Sequence, residues 1–270
     1  MKRRSQLYVP ANNPRMLEKA ATLEADSVIL DLEDAIPPEQ KVPTRGTLAA
    51  DIRRIAWGRR EVCVRVNGLG SPEGPEDVKV VSREGRVDAL VIPKAEGDLS
   101  PVSRDTGKNL VPLIETALGL TRIEDVVRSE GVVAVSYGAG DLAVSVGGDI
   151  RAYARNVYVK TRIVTVASAY GVDAIDRVYF DLEDVDGFRS EALESRGLGY
   201  VGKQVVHPRQ VTLANAIYAP DPKEVAWARQ VVDAYESAAR NGRGAIRVRD
   251  QVVDAVHYRW AQKVLERAGT

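Results

Sequence analysis

Eight short apolar runs rich in β-branched residues recur along this chain at fairly even spacing, and stretches of helical period fall between them. The runs cover residues 6–11, 27–33, 61–67, 89–95, 110–116, 132–140, 174–181 and 202–208. Residues 14–24, with Met16, Leu17, Ala20 and Ala21 on one face, have helical spacing, as do 120–129 and 153–170. Strand-length runs alternating with helices predict a parallel sheet. The runs around Ile29, Val91 and Leu113 are continuously apolar, as strands covered on both faces must be. Eight β/α units in about 210 residues suit a closed (β/α)8 TIM barrel, which typically takes about 250. An open doubly wound sheet is the alternative, but no Gly-x-Gly-x-x-Gly follows the first run, which weakens a dinucleotide-binding reading.

Beyond the eighth run the pattern predicts a short helix from Arg209 and a longer one over 222–240. Asn241-Gly-Arg-Gly244 interrupts it, and 250–268 reads as one more helix through Val252, Val253, Val256, Trp260 and Val264. The expected organisation is a catalytic barrel over 1–241 and a C-terminal helical extension over 242–270. That extension lies outside the barrel count, so it must pack on the barrel or on a neighbouring subunit, and the second is the expectation carried forward.

Lys+Arg and Asp+Glu both number 38. A chain so balanced has no overall field to gather nucleic acid or an anionic membrane surface. The single cysteine, Cys63, excludes an intramolecular disulfide and a cysteine-built zinc site, and its apolar run suits a buried, inert thiol better than a nucleophile. The basic start, Met1-Lys-Arg-Arg-Ser, has no apolar signal region after it, and no stretch approaches the roughly 20 apolar residues of a membrane span. A cytoplasmic location is the expectation.

In such a barrel the active face lies at the carboxyl ends of the strands. There this sequence places Asp31-Leu-Glu-Asp34, Arg65-Val-Asn67, Pro93-Lys94, Glu115-Thr116, Gly138-Ala-Gly-Asp141, Asp181 and His207. Several carboxylates in one mouth repel one another unless a cation sits among them. Oxygen ligands without Cys or clustered His point to Mg²⁺. Glu115 and Asp141, on adjacent strands, are the expected direct ligands, with Asp31 and Glu33 one layer out, holding metal-bound water or Lys94. A purely structural ion-pair network is the competing reading. The amides of Gly138, Ala139 and Gly140 could hold a carboxylate, or the glycines could serve only a tight turn.

These same residues carry a resemblance. Leu7-Tyr-Val-Pro-Ala-Asn-Asn-Pro-Arg-Met and Val28-Ile-Leu-Asp-Leu-Glu-Asp-Ala resemble the opening of the citrate lyase β-subunit and malyl-CoA lyase family. Val64-Arg-Val-Asn-Gly, Ile92-Pro-Lys, Leu113-Ile-Glu-Thr-Ala-Leu-Gly and Gly202-Lys-Gln-Val-Val-His-Pro continue the match in order over nearly the whole chain. The resemblance implies a magnesium-dependent acyl-CoA lyase with Glu115 and Asp141 on the metal. It implies that Arg65 contacts the reacting oxygen and that amides of 138–141 hold a keto-acid carboxylate. Tyr8, Asn13 and Lys19 approach a CoA moiety, although Asn13 aligns with an arginine in some members. Val206 and His207 line the substrate site, with a plain strand-end histidine as the alternative for His207. Asp31, Glu33 and Lys94 complete the expected catalytic set.

The family often ends in Gly-Lys/Arg-Leu/Met-Ile/Val-Asp, whose aspartate reaches into a neighbouring subunit. Arg249-Asp-Gln-Val-Val-Asp254 is the counterpart here, with Asp250 where glycine is usual, and Asp254 becomes the candidate acid and base. A partly buried carboxylate of raised pKa suits that task. Gly140 is a second departure, since citrate lyase subunits often have glutamate there. The implied partners are a CoA thioester and a small 2-keto acid, and the implied assembly is a trimer or a dimer of trimers. A citrate lyase subunit working on a carrier-bound thioester, and a class II aldolase working on free hydroxy-keto acids, are the alternatives.

Overall fold

A computed structural model describes residues 1–240 and 244–269. The chain divides into two compact units, Met1–Tyr218 and Ala219–Thr270. In the first, eight parallel strands close in sequence order into a barrel. They are β1 (Ser5–Pro10), β2 (Ser27–Asp31), β3 (Glu61–Arg65), β4 (Ala89–Ile92), β5 (Asn109–Ile114), β6 (Ala134–Tyr137), β7 (Asp173–Asp176) and β8 (Gly202–Val205). Each expected run overlaps one of these strands.

Because successive side chains of a strand point to opposite faces, the apolar residues sort into two cores. Ile29, Cys63, Ala89, Val91, Val111, Leu113, Ala134 and Ile175 fill the barrel interior. Alternating with them, Val28, Leu30, Val62, Val64 and Leu90 pack outward with helix residues such as Leu17, Leu48, Ile52, Ile163 and Phe188. Cys63 is fully buried, and burial pushes its thiol well up, as the inert reading requires.

Charges at the amino ends of the strands saturate one another. Arg3 binds both oxygens of Glu61 and reaches Asp173, and the Ser27 hydroxyl donates to Glu61. On the outer face, Lys203 of β8 donates to Asp176 and Glu191 at 2.6 Å each, and Ser195 and Tyr137 also donate to Asp176. These two networks are structural, and the opposite, carboxyl-end mouth is left for chemistry.

Two expectations about elements are corrected. The seventh strand stops at Asp176 rather than running to 181. Residues 177–184 form a loop in which Phe180 is exposed and Asp181 accepts from the amides of Glu183 and Asp184. The apolar stretch Val178-Tyr-Phe180 mimicked a strand. Asp181 is therefore a turn residue, and the carboxylate that ends the strand, Asp176, faces the helices.

The second unit opens with the helix Pro222–Ala239, which the sequence pattern had assigned to the barrel domain. Its Ala228 and Val231 pack with Val248, Val253, Ala261 and Val264 of the tail, so it groups with the tail, and the expected boundary at 241/242 lies outside the described residues. Residues 250–254 are not helical. β9 (Ala245–Val248) and β10 (Gln251–Asp254) form an antiparallel hairpin, and the helix Ala255–Ala268 begins only after Asp254. β-branched Val252 and Val253 favour the strand, and Asp254 caps the helix. At the hairpin turn it is Arg249, not Asp250, that takes positive φ, at 53°. No helix among the described residues is long and apolar enough to cross a membrane.

Candidate active site

At the carboxyl mouth of the barrel one line of contacts joins Asp31, Arg65, Glu33, Lys94 and Glu115, with Tyr8 against Arg65. Arg65, the last residue of β3, donates from Nε and Nη2 to the two oxygens of Asp31 at 2.7 and 2.6 Å. This bidentate pairing fixes the plane of the guanidinium. Its Nη1 lies 2.9 Å from Glu33 and 3.3 Å from Asp34, and its Cζ sits 5.0 Å from the centroid of the Tyr8 ring. Lys94, just past β4, donates from Nζ to Glu33 at 2.6 Å and lies 3.9 Å from Glu115. The Lys94 amide donates to Glu115 Oε1 at 2.9 Å. Glu33 thus holds Lys94, as expected, whereas Asp31 is committed to Arg65 instead.

Glu115 follows β5 and is only 3% exposed. Burial, then the charges of Glu33 and Asp141, push its carboxyl up to about 7 against the pull of Lys94. Burial likewise raises Glu33, although Arg65 and Lys94 oppose the shift. Burial alone would lower Lys94, but its hydrogen bond to Glu33 and the charges of Glu33, Glu115 and Asp141 raise it instead. Asp141, exposed on the first turn of the helix Ala139–Val146, completes this anionic set.

An excess of buried carboxylate calls for a cation, and an all-oxygen donor set selects Mg²⁺ over Zn²⁺. Among the described residues no three His, Cys, Asp or Glu side chains converge as a ready-made metal cage. Mg²⁺ does not need one: it is commonly bound by one or two carboxylates, with waters and substrate filling its octahedron. Glu115 and Asp141 fit that requirement.

Gly138 follows β6 and is the N-cap of the helix Ala139–Val146. The first amides of a helix have no partner within it, so those of Ala139, Gly140 and Asp141 are available to an anion. A Cβ at Gly140 would meet nothing within 4 Å, so nothing packs tightly against that position. Other expected residues stand apart from the cluster. Asn13 accepts from the Met16 amide and caps the helix Pro14–Ala20, on whose last turn Lys19 is exposed. The Val206 amide donates to Gln210, and His207 Nδ1 accepts from the Arg209 amide, so both serve the turn into the helix Pro208–Tyr218. Among the described residues no hydrogen bond or ion pair links Asn13, Lys19, Val206 or His207 to the Arg65–Glu115 cluster.

Asp254, in the second unit, is the N-cap of the last helix. Its Oδ1 accepts from the amides of Val256 and His257 and lies 2.7 Å from His257 Nδ1. The Asp254 amide in turn faces His257 Nδ1 at 3.4 Å, which closes a capping box around the helix start. The expected raised pKa is not found here. Hydrogen bonds from His257 and from the cap amides lower the carboxyl, whose side chain is half exposed.

Lys41 and Asp77 were not singled out in the sequence, yet both frame the mouth. Lys41 donates to Asn67 Oδ1, and Asp77 accepts from the Asn67 side chain and amide. Their one available signal was position, in the βα segments after β2 and β3. Beside the cluster opens a cleft of about 700 Å³ lined by Glu33, Lys41, Asn67, Lys94, Leu99 and Thr116 among others. That volume suits a small-molecule site.

Known proteins resemble this chain over nearly its whole length. The model of the HpcH/HpaI aldolase/citrate lyase family matches residues 4–100 and 103–208. The chain is 32% identical over 274 residues to a (3S)-malyl-CoA thioesterase of Cereibacter sphaeroides, covering 98% of this chain and 94% of that one. It is 31% identical over 299 residues to an L-malyl-CoA/beta-methylmalyl-CoA lyase of Rhodobacter capsulatus, with the same coverage. Among solved structures, CitE from Mycobacterium tuberculosis in complex with magnesium, acetoacetate and coenzyme A superposes with a TM-score of 0.80. That pair shares 29% identity over 98% of both chains.

Proposed function

The chain belongs to the HpcH/HpaI aldolase/citrate lyase family and is a lyase, and we propose that it is a magnesium-dependent acyl-CoA lyase. Its reaction would be the reversible cleavage of a 3-hydroxyacyl-CoA, of malyl, citramalyl or citryl type, to an acyl-CoA and a 2-keto acid. One observation carries the reading above others: Glu115 is buried at the mouth with Glu33 and Asp141 nearby, its carboxyl pushed up to about 7. Such a group is costly as an anion until a cation joins it. The magnesium complexes of the CitE structure support the same assignment by similarity.

Held by Glu115 and Asp141, a magnesium ion would supply Lewis acidity toward the oxygens of the keto acid. The remaining work falls to the chain itself. The amides of Ala139, Gly140 and Asp141 would hold the keto-acid carboxylate at the helix start. Arg65, fixed in plane by Asp31, would place its charge where an enolate or alkoxide oxygen develops. Lys94 would neutralise Glu33 so that the mouth does not repel its anionic substrate. Tyr8, Asn13 and Lys19, on β1 and the following helix, would approach the CoA moiety, and Val206 and His207 would line the same face.

Asp254, supplied by a neighbouring copy in a trimer or hexamer, would remove the α-proton of the acyl thioester in synthesis and return it in cleavage. With Oδ1 occupied by three contacts, Oδ2 is the oxygen left for that proton. Docking against a neighbour would strip water from the carboxylate and raise its pKa toward the value the task requires.

The test is incubation of the purified protein with Mg²⁺ and malyl-, β-methylmalyl-, citramalyl- and citryl-CoA, with keto-acid release followed by phenylhydrazine. EDTA-sensitive release from one thioester is the expected result. Release only from free hydroxy-keto acids would replace this reading with that of a class II aldolase.

A further inference from the structure

Lys94 has φ of +50°, and among the described residues only one other non-glycine residue, Arg249, also has positive φ. The left-handed region is unfavourable for a side chain with a Cβ, and such strain collects where the surroundings over-determine it. Here the bend has a visible consequence. It aims the Lys94 amide at Glu115 Oε1, at 2.9 Å, while the Lys94 ammonium goes to Glu33 Oε1, at 2.6 Å. From the other side, Glu115 lies against the bare α-carbon of Gly138. A Cβ there would fall 2.4 Å from Glu115 Oε2, closer than real Cβ contacts come, and 3.0 Å from its Cβ. One carboxylate oxygen is therefore fixed by a main-chain donor and the other occupies the space a side chain would fill.

We propose that the left-handed main chain of Lys94 and the missing side chain of Gly138 together position Glu115 as a metal ligand, and that the Lys94 ammonium serves a separate carboxylate, Glu33. The inference rests on the reading of Glu115 as a magnesium ligand. It divides Lys94 into two functions that substitution can separate. Lys94→Gly and Lys94→Val both delete the ammonium. Glycine enters the left-handed region freely, whereas a β-branched residue resists it. A difference between the two variants therefore cannot come from the lost ammonium and follows the cost of holding positive φ at this position.

The experiment is titration of the purified full-length protein with Mn²⁺ as a paramagnetic stand-in for Mg²⁺, reading free ion by electron paramagnetic resonance. Wild type, Glu115→Gln, Lys94→Gly, Lys94→Val and Gly138→Ala are compared, with a thermal melt on each to establish folding. Lys94→Gly is expected to bind within about threefold of wild type, while folded Lys94→Val and Gly138→Ala bind about tenfold or more weakly, tenfold being about 1.4 kcal/mol. Lys94→Val binding as tightly as Lys94→Gly, or a folded Gly138→Ala with wild-type affinity, overturns the positioning role while leaving Glu115 a ligand. Wild type and Glu115→Gln binding alike would overturn the ligand assignment and the positioning role with it. Should Gly138→Ala not fold, the Gly/Val pair at position 94 decides.

Discussion

Glu115 ties the electrostatics of this molecule to its chemistry. Its carboxyl is protonated more readily in the folded protein than at the ordinary value of 4.5. In the metal-free protein its contribution to stability is therefore full below about 4.5 and is lost as pH rises through about 7. At pH 8 the charged form is a burden, so Glu115→Gln is expected to raise metal-free stability by about 1–3 kcal/mol while abolishing metal binding; urea unfolding with and without Mg²⁺ checks both. Magnesium can bind only the deprotonated carboxylate, so binding near pH 7 should release protons and weaken as pH falls. Calorimetry in buffers of different ionisation enthalpy would show that release. Arg65→Lys should lower kcat on the order of 100-fold, because a point charge cannot keep both bonds to Asp31 and still present a fixed fork. Near-wild-type kinetics would reduce Arg65 to an ion-pair partner.

At the scale of elements, the strands were legible because short β-rich runs alternate with stretches of helical period, those around Ile29, Val91 and Leu113 being continuously apolar. Charged residues at the carboxyl ends of the strands, Arg65, Lys94 and Glu115, were legible for the same reason: barrel geometry turns a strand end into a mouth residue. The reading failed where local pattern and tertiary role part. Val178-Tyr-Phe180 has the composition of a strand but follows its end, which displaced attention to Asp181 and away from buried Asp176. Val252 and Val253 carry both a helical and a strand pattern, and the pairing with Arg247 and Ile246 that decides between them is not written locally. Lys203 was legible only as part of a motif, yet it is fully buried between Asp176 and Glu191. Lys203→Met would leave buried Asp176 with the Ser195 and Tyr137 hydroxyls but without this cation, while Glu191 keeps Arg177, and it should destabilise the fold by about 3–5 kcal/mol, measured by urea unfolding. A loss under 1 kcal/mol would mean the network is better solvated than its geometry implies.

For the whole molecule, closure of the barrel followed from counting eight β/α units, but assembly cannot be read from one chain. The tail unit has its own core, with Tyr235 stacked on Tyr258 and Arg249 over Trp227. Its proposed contribution, Asp254 in a neighbour's site, is testable by complementation. Asp254→Asn and Arg65→Lys should each be nearly inactive alone, and mixed oligomers should regain up to about a quarter of wild-type activity, because some sites then combine an intact mouth with an intact tail. Mixtures no better than their parents would place Asp254 in its own chain's chemistry or outside it.

The central claim, that this mouth breaks a carbon–carbon bond rather than a thioester, is tested most directly by identifying products by mass spectrometry after reaction of malyl-CoA or citramalyl-CoA, with Mg²⁺ and with EDTA. The expected products are an intact acyl-CoA thioester and a 2-keto acid, formed only with the metal. Free CoA with the uncleaved hydroxy acid as the initial products would contradict the claim and make the protein a thioesterase.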